Sequence, residues 1–212
     1  MEVEVFTCNP FQENGYLLHN ASKECILVDP GCYTHKECKV VDDFIESRGL
    51  TVTLVANTHC HIDHIFGVKY FIEKYEVPFT YHEKDQPVLD SGISTALMYG
   101  LQYDNAPNAS YFIKEGEFLK LGTDHLDIVF TPGHSPGSVS FIHRKSKQII
   151  AGDVLFRESV GRSDLLGGDQ DTLFDSIRNE LYTLDDAFVV FSGHGPVTSI
   201  GHEKKYNPFV KG

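Results

Sequence analysis

Three histidines and one aspartate stand within six positions of a single stretch, NTHCHIDHIFG, which covers residues 57–67. They are His59, His61, Asp63 and His64. Imidazole and carboxylate groups are ligands that zinc, iron and manganese accept in proteins. His59 and His61 lie two positions apart, so both can face one point in extended chain. Asp63 and His64 follow where a helix is expected to begin, which directs them to a second point nearby.

Further potential ligands follow apolar runs elsewhere in the chain. TLVANT leads to His59, DIVFTPG to His134, QIIAG to Asp153 and FVVFSG to His194, and CILV ends at Asp29. Such runs predict buried strands, and loops after strand ends are where rigid scaffolds present reactive side chains. Glycine and proline surround several of these ligands, so tight turns would fix their positions. We therefore expect the strand ends to bring these side chains together.

The candidate ligands suit two metal ions better than one. The first ion would take His59, His61 and His134, and the second would take Asp63, His64 and His194. Asp153 would bridge the two ions. Imidazole and carboxylate donors without thiolate suit zinc, which we expect here, and also iron or manganese. The ligand count leaves a place for a bridging water, which predicts an open catalytic site.

Strands and helices must alternate to position these residues. Strands are predicted at 3–7, 15–20, 25–29 and 52–57, and then at 117–121, 126–130, 138–143, 148–152 and 188–193. Helices are predicted at 35–48, ending at Gly49, at 63–76 and at 171–182. Short helical pieces interrupted by Gly92, Gly100 and Pro107 are expected between 83 and 116. The order predicts one domain over 1–212 that is built from two β-rich halves, because only 18 residues follow His194.

Composition restricts the compartment and the partners. The formal net charge of −12 argues against a nucleic-acid partner, which would require a basic surface. The opening MEVEVFTCNP is not a signal peptide, and no apolar run is long enough to cross a bilayer. The five cysteines include no CxxC pair, which is typical of a protein in a reducing cytoplasm. We expect a cytoplasmic protein with a small-molecule substrate and no membrane partner.

The motifs together resemble the metallo-β-lactamase superfamily, and within it the short, single-domain glyoxalase II-like hydrolases. The similar features are THxHxDH, TPGH, GD, the late GHG and the early VDPG, which span nearly the whole chain. GRSDLLGGD (161–169) and GHGPVTSIGHEKKYNPF (193–209) are similar to the short members. The resemblance implies an α/β (α+β) fold, a four-layer αββα sandwich with two metals at one edge, and the same division of ligands. It also implies that Asp29 lies behind the metal ligands and orients a ligand histidine, and that a C-terminal helical substrate domain is absent.

The resemblance further implies a metal-dependent hydrolase that acts on a thioester such as S-lactoylglutathione, as hydroxyacylglutathione hydrolases do. A hydroxide that bridges the two metals would attack the carbonyl at neutral pH, with Asp63 and Asp153 as the catalytic carboxylates. No Ser-His-Asp or Cys-His nucleophile is needed. Cys60 alternates away from the ligands on either side of it and is interpreted as a packing residue.

Substrate contacts of the larger glyoxalase II enzymes are matched only in part. Those enzymes use a Lys and a Tyr after the bridging Asp, and here Arg162 and Asp164 take these two positions. A further Tyr of that family corresponds to Pro196. Arg162 can bind a substrate carboxylate, or it can pair with Asp164 and stiffen the loop. The second interpretation is slightly favoured.

Two other functions stay open. A mononuclear-iron persulfide dioxygenase of the same superfamily shares the G-R-x-D pattern seen at 161–164. A non-catalytic binding protein that retains the fold belongs to a different class, but such proteins usually lose ligands, whereas here every ligand position is filled. A β-lactamase is disfavoured by the lack of an export signal, and a nuclease by the negative charge.

Overall fold

The computed structural model describes residues 1–212 and contains two six-stranded sheets packed face to face. The first sheet consists of β1 (Glu2–Cys8), β2 (Glu13–His19), β3 (Glu24–Val28), β4 (Thr51–Ala56), β5 (Phe79–His82) and β6 (Tyr111–Ile113), in that order. The strands β1 to β3 pair antiparallel, and β3 to β6 pair parallel.

The second sheet consists of β7 (Phe118–Leu121), β8 (Asp124–Phe130), β9 (Val139–His143), β10 (Gln148–Gly152), β13 (Val189–Ser192) and β14 (Thr198–Ser199). Its spatial order is β14-β13-β10-β9-β8-β7, and β10 pairs parallel with β13. A separate hairpin is formed by β11 (Leu155–Phe156) and β12 (Ser159–Val160).

Seven helices accompany the sheets. They are α1 (His35–Arg48), α2 (Ile62–Ile65), α3 (Val68–Tyr75), α4 (Gln86–Asp90), α5 (Gly92–Met98), α6 (Gln170–Ser176) and α7 (Ile200–Tyr206). A π turn, Ile177–Leu181, extends α6, and 3-10 turns cover Glu83–Asp85 and Arg144–Ser146. None of the helices combines the length and the apolar character needed to span a bilayer.

Alternation along the strands divides the apolar side chains among three cores. In β2, Leu17 faces the helices α1 and α3, whereas Tyr16 and Leu18 face the second sheet. In β10, Ile150 faces the first sheet and Ile149 faces the helices α6 and α7. Three cores between four layers make an αββα sandwich, so the expected fold is confirmed. Strands that are buried on both faces explain the continuous apolar runs of the sequence.

The predicted strands are all present with small shifts at their ends, and helix α1 has the predicted bounds. Thr34 and Glu37 form a capping box at its start, and Gly49 ends it with a φ of 60°. The single helix predicted at 63–76 is wrong, because the chain bends between α2 and α3. There the Gly67 N–H donates to the Pro30 carbonyl at 2.8 Å, and a Cβ at position 67 would lie 2.6 Å from the same oxygen. This bend fixes α2 against the loop that follows β3.

Other differences concern short elements. The short helical pieces expected between 83 and 116 are present as α4 and α5, which divide between Asp90 and Gly92, and Gly92 packs against the Tyr103 ring. The strands β5, β6, β11, β12 and β14 and the helix α7 were not predicted. The parallel strands β3, β4 and β5 end at one edge of the first sheet, and β8, β10 and β13 end at the adjoining edge of the second. The loops from both sheets meet there.

Candidate metal centre

Three histidines place ring nitrogens around a first point. His134 Nε2 lies 2.8 Å from His61 Nδ1 and 3.2 Å from His59 Nε2. Nitrogens bound to a tetrahedral zinc at about 2.0–2.1 Å would be about 3.3 Å apart. Burial and the neighbouring histidines lower the pKa of His59, and they lower that of His61 to about 3. Both rings therefore favour the neutral form, which is the form that binds metals.

A second trio, formed by Asp63, His64 and His194, surrounds a neighbouring point. His194 Nε2 lies 3.2 Å from Asp63 Oδ2, and His64 Nε2 lies 3.9 Å from the same oxygen. Burial alone would lower the pKa of both histidines, but the carboxylates of Asp63 and Asp153 outweigh it and raise both values. The second point is therefore the more negative of the two, as a site for a cation requires.

Asp153 lies between the two trios. Its Oδ2 is 3.5 Å from His134 Nε2 and 3.5 Å from His194 Nε2, and its Oδ1 is 3.4 Å from His64 Nε2. Burial would raise the pKa of Asp153, but His64 and then His134 and His194 lower it on balance. The carboxylate thus contacts members of both trios, in the position predicted for a bridging ligand.

Two buried polar atoms that face this cluster, His64 Nε2 and Asp153 Oδ1, have no hydrogen-bond partner. Buried polar atoms in proteins are almost always satisfied. Each trio brings one ligand atom per residue to within 4.8 Å of the others. Unsatisfied imidazole and carboxylate atoms that converge in this way fit two divalent cations.

Asp29 supports the centre from behind. Its Oδ2 lies 3.1 Å from His64 Nδ1, and its carboxylate accepts hydrogen bonds from Thr58 N at 2.7 Å and Thr58 Oγ1 at 2.5 Å. Thr58 Oγ1 is in turn 3.1 Å from His59 Nδ1. Asp29 holds a φ of 48°, a left-handed conformation that aspartate tolerates better than most residues. Asp29 therefore lies behind the ligands, as the resemblance implied, and directs His64 Nε2 towards Asp63 and Asp153.

Backbone carbonyls orient two further ligand rings. His134 Nδ1 lies 2.7 Å from the Arg162 carbonyl oxygen, and His194 Nδ1 lies 3.1 Å from that of Phe11. A ring that donates from Nδ1 keeps Nε2 free for a metal. The backbone also approaches closely at Gly193, where a Cβ would collide with Asp153 Oδ1. It would also lie 2.7 Å from His64 Cε1. Only glycine fits at this position.

Asp85, which follows β5, is a supporting residue that the sequence did not reveal. Its buried carboxylate accepts hydrogen bonds from Cys60 N at 2.6 Å, and from Ser135 Oγ and Gly137 N at 2.7 Å each. Cys60 lies between two ligands of the first trio, and Ser135 follows the third. Asp85 therefore ties together the two loops that carry this trio. The only sequence signal was an acidic residue after a short apolar strand.

Asn57 and Glu13 were also missed. Asn57 Nδ2 donates to the carbonyl oxygens of His59 at 3.2 Å and His64 at 2.9 Å, and thus holds the ligand loop closed. Glu13 is fully buried, and its Oε1 lies 3.7 Å from His64 Nδ1. Neither Glu13 oxygen has a hydrogen-bond partner, and burial raises the pKa of this carboxyl well above its usual range.

A cavity of about 420 Å³ opens above both trios. Arg162 lines it, but the guanidinium is held by Asp164 through hydrogen bonds of 2.7 Å and 2.8 Å. The pairing interpretation of these two residues thus matches the structure. Cys60 is fully buried in the core beneath α2, and burial raises the pKa of its thiol. Its position agrees with a packing role.

Comparison with known proteins identifies the family. Residues 8–194 match the model of the metallo-beta-lactamase superfamily. The chain is 38% identical to "Probable metallo-hydrolase YqgX" of Bacillus subtilis, covering 96% of this chain and 94% of that protein. It is 35% identical to "Hydroxyacylglutathione hydrolase GloC" of Haemophilus influenzae, covering 99% and 98%.

Solved structures show the same fold. The BLEG-1 B3 metallo-beta-lactamase superposes with a TM-score of 0.91 at 34% identity, with complete coverage of both chains. TTHA1623, solved in a di-iron-bound form, superposes with a TM-score of 0.88 at 34% identity, covering 98% of this chain and 100% of that one. The relatives indicate a metallo-hydrolase. With its sandwich fold and its paired His and Asp trios, the chain belongs to the metallo-β-lactamase superfamily.

Proposed function

We propose that this protein is a metal-dependent hydrolase of thioesters such as S-lactoylglutathione. The observation that carries the proposal is the position of the two trios, with Asp153 between them, on the floor of an open cavity. When bound there, two divalent cations supply a water nucleophile that is active at neutral pH, and they polarise a carbonyl group. Zinc suits a donor set without thiolate, and the di-iron form of TTHA1623 keeps iron as an alternative.

The chain's own carboxylates are placed to handle the proton of that nucleophile. The side chains of Asp63 and Asp153 are 15% and 11% exposed and line the cavity, whereas His64 is fully buried. Each carboxylate can accept a proton from a water on the cavity floor. Asp63 is held in place by His194, and His64 is held by Asp29. These contacts keep the acceptor atoms oriented before a substrate arrives.

Side-chain nucleophiles have no support at this site. Ser91 and Thr95 are the two residues of the cavity lining with an aliphatic hydroxyl group. Ser91 Oγ donates to the Val88 carbonyl at 2.7 Å rather than to a histidine base. Cys60 is fully buried and does not line the cavity. Direct attack by water is therefore the favoured route.

The class of substrate rests on relatives and on chemistry. GloC is named a hydroxyacylglutathione hydrolase, and a thiolate is a leaving group that needs little acid catalysis. The complete set of ligands argues against a non-catalytic binding protein. The net charge of −12 supports a small-molecule substrate over a nucleic acid, and the cysteine usage supports a cytoplasmic location.

A persulfide dioxygenase of the same superfamily is the second candidate. The G-R-x-D pattern at 161–164 favours it. A mononuclear iron enzyme of this kind binds one ion, so it would not need a second complete trio with Asp153 placed between the two trios. The complete second trio therefore favours the hydrolase.

Metal analysis and turnover test the proposal together. The chain is expressed without added metal, analysed for its metal content, and then reloaded separately with zinc, iron or manganese. We expect about two ions per chain and hydrolysis of S-lactoylglutathione, with a loss of at least about a hundredfold in His59→Ala and in His64→Ala. One iron per chain with oxygen consumption on glutathione persulfide would favour the second candidate. Hydrolysis of a chromogenic β-lactam without thioester turnover would contradict the proposal.

A further inference from the structure

The walls of the cavity are largely apolar. Ten of its fifteen lining residues lie outside the two trios and Asp153, and seven of these ten are hydrophobic. The walls that rise above the metal centre include Phe11, Tyr99, Phe156, Leu165 and Leu166. Pockets of a few hundred Å³ with apolar walls and few polar groups bind small molecules through burial of apolar surface. A substrate is therefore selected here mainly by its apolar part.

Charge in the lining leads to the same conclusion. Arg162 is the one cationic side chain among the lining residues, and Asp164 neutralises it through two hydrogen bonds. That contact lowers the pKa of Asp164 to about 2, so the carboxylate that faces Arg162 is ionised at neutral pH. A glutathione moiety carries two carboxylates, and the cavity offers neither of them a free basic side chain. Binding energy from the thiol part of such a substrate would be small.

The apolar walls begin directly beside the catalytic groups. The Phe11 carbonyl accepts a hydrogen bond from His194, and the Phe11 ring contacts Tyr99 edge to face at 5.2 Å. The Phe156 ring lies 6.2 Å from the His194 ring. A carbonyl carbon placed over the two trios would extend its acyl substituent along these aromatic rings. The acyl group is thus the part of the substrate that the walls contact first.

We infer that the substrate is a thioester of an apolar, uncharged acyl group several carbons long, with Tyr99 and Leu166 as specificity-determining residues. This inference rests on the proposed thioesterase function. Each methylene buried against the walls raises kcat/KM by about fourfold. The polar lactoyl group, which is short and carries a hydroxyl, gains less from these walls.

The test uses the zinc-reloaded full chain and thioesters of N-acetylcysteamine, a small thiol without charge. Acetyl, butyryl and hexanoyl esters are compared with the lactoyl ester, and the hexanoyl and lactoyl esters are also made with glutathione. We expect kcat/KM to rise from acetyl to hexanoyl by at least about fiftyfold, which is less than four fully buried methylenes would give. Exchange of N-acetylcysteamine for glutathione should change kcat/KM by less than about threefold, because the cavity has no free basic side chain to bind the glutathione carboxylates.

Variants locate the selectivity on the walls. Tyr99→Ala and Leu166→Ser alter side chains that are 53% and 56% exposed, so the fold should persist. We expect each to reduce the ratio of kcat/KM for the hexanoyl ester to kcat/KM for the acetyl ester by about fivefold or more, because the longer chain loses more apolar contact. Leu97→Ser is the matched control, because Leu97 is 73% exposed on the same helix as Thr95 but does not line the cavity.

Failures of the two proposals are distinguishable. If the metal-loaded chain hydrolyses none of the thioesters, the proposed function is wrong. The inference of an apolar acyl group is overturned if the chain hydrolyses lactoyl esters faster than hexanoyl esters. It is also overturned if kcat/KM depends on the thiol and not on the acyl chain. In both cases the proposed thioesterase function is retained. A ratio that is unchanged in both wall variants would also overturn it.

Discussion

Asp85 allows a direct test of how the two ligand loops are held together. Its carboxylate accepts hydrogen bonds from Cys60 N, Ser135 Oγ and Gly137 N. In Asp85→Asn the amide oxygen can still face Ser135 and Gly137, but the amide nitrogen then faces the Cys60 N–H, so two donors oppose each other. One hydrogen bond to a charged group is lost, which is worth about 1.5–3 kcal/mol. Burial raises the pKa of Asp85, so removal of the charge offsets part of this loss.

The expected result is a decrease of about 2 kcal/mol in the unfolding free energy of the metal-free protein. The affinities of the two metal ions should change to different extents. The released Cys60 and Ser135 adjoin the first trio, so one ion should bind about 10–100-fold more weakly. The second ion should keep its affinity, because Asp29 and not Asp85 supports His64. Urea unfolding and a zinc titration against a chromophoric chelator measure the two effects.

Asp43→Asn is the control for the loss of one carboxylate. Asp43 is exposed and pairs only with Lys39, one helical turn away, at 2.6 Å. Its replacement should change the unfolding free energy by less than about 0.5 kcal/mol and leave metal binding unaltered. If Asp85→Asn resembles this control in both assays, the Asp85 carboxylate does not hold the loops. Equal weakening of both ions would show that its effect spreads beyond the first trio.

Three further predictions concern the metals, the surface pair and a buried carboxylate. Zinc at about a thousand times its dissociation constant should stabilise the metal-free protein by about 4 kcal/mol and raise Tm by roughly 8–16 °C in a thermal scan; no shift would argue against a metal centre. Arg162→Gln should change KM for S-lactoylglutathione by less than about threefold, since Asp164 already holds the guanidinium; a tenfold rise in initial-rate assays would assign Arg162 to substrate binding. Burial opposes ionisation of Asp42, but hydrogen bonds from Lys74 and two tyrosines outweigh it and lower its pKa. A carboxyl group whose pKa is lower in the folded protein than in the unfolded chain stabilises the fold above the unfolded-state pKa. This stabilisation is lost as the pH falls through the folded-state pKa. Asp42→Asn should therefore lower the free energy of unfolding by about 2 kcal/mol at pH 7, and by progressively less below about pH 4, as measured by urea unfolding. A difference between variant and wild type that does not change with pH would refute this.

The candidate ligands could be predicted because their signals are local. His59, His61, Asp63 and His64 form one compact motif, and the other candidates each follow an apolar run that ends a strand. Parallel pairing of the strands then brings these ends to one edge. Helix α1 was also predictable, since Thr34 and Gly49 mark its ends within the sequence itself.

The supporting residues could not be predicted in the same way. Asp85 acts on residues about 25 and 50 positions away, through hydrogen bonds that exist only once both sheets are assembled. The bend at Gly67 depends on the Pro30 carbonyl, which a periodicity of apolar residues does not register. Strand β6 has two exposed aromatic residues, Tyr111 and Phe112, and therefore lacks an apolar pattern. Long-range contacts, not local propensity, decide these features.

The arrangement of the trios has a consequence for the whole molecule. Each trio takes two residues from the motif after β4 and one from the second sheet, His134 in the first trio and His194 in the second. An ion held by either trio would therefore join the two sheets at this edge. Hydrogen bonds already join them there without metal, from Asn14 N to the Gly193 carbonyl at 2.7 Å and from the Tyr16 hydroxyl to the Ser192 carbonyl at 2.5 Å. These bonds hold the loop that carries His194 against the first sheet, so the protein itself positions the ligands and the ions need only complete a site that is already formed.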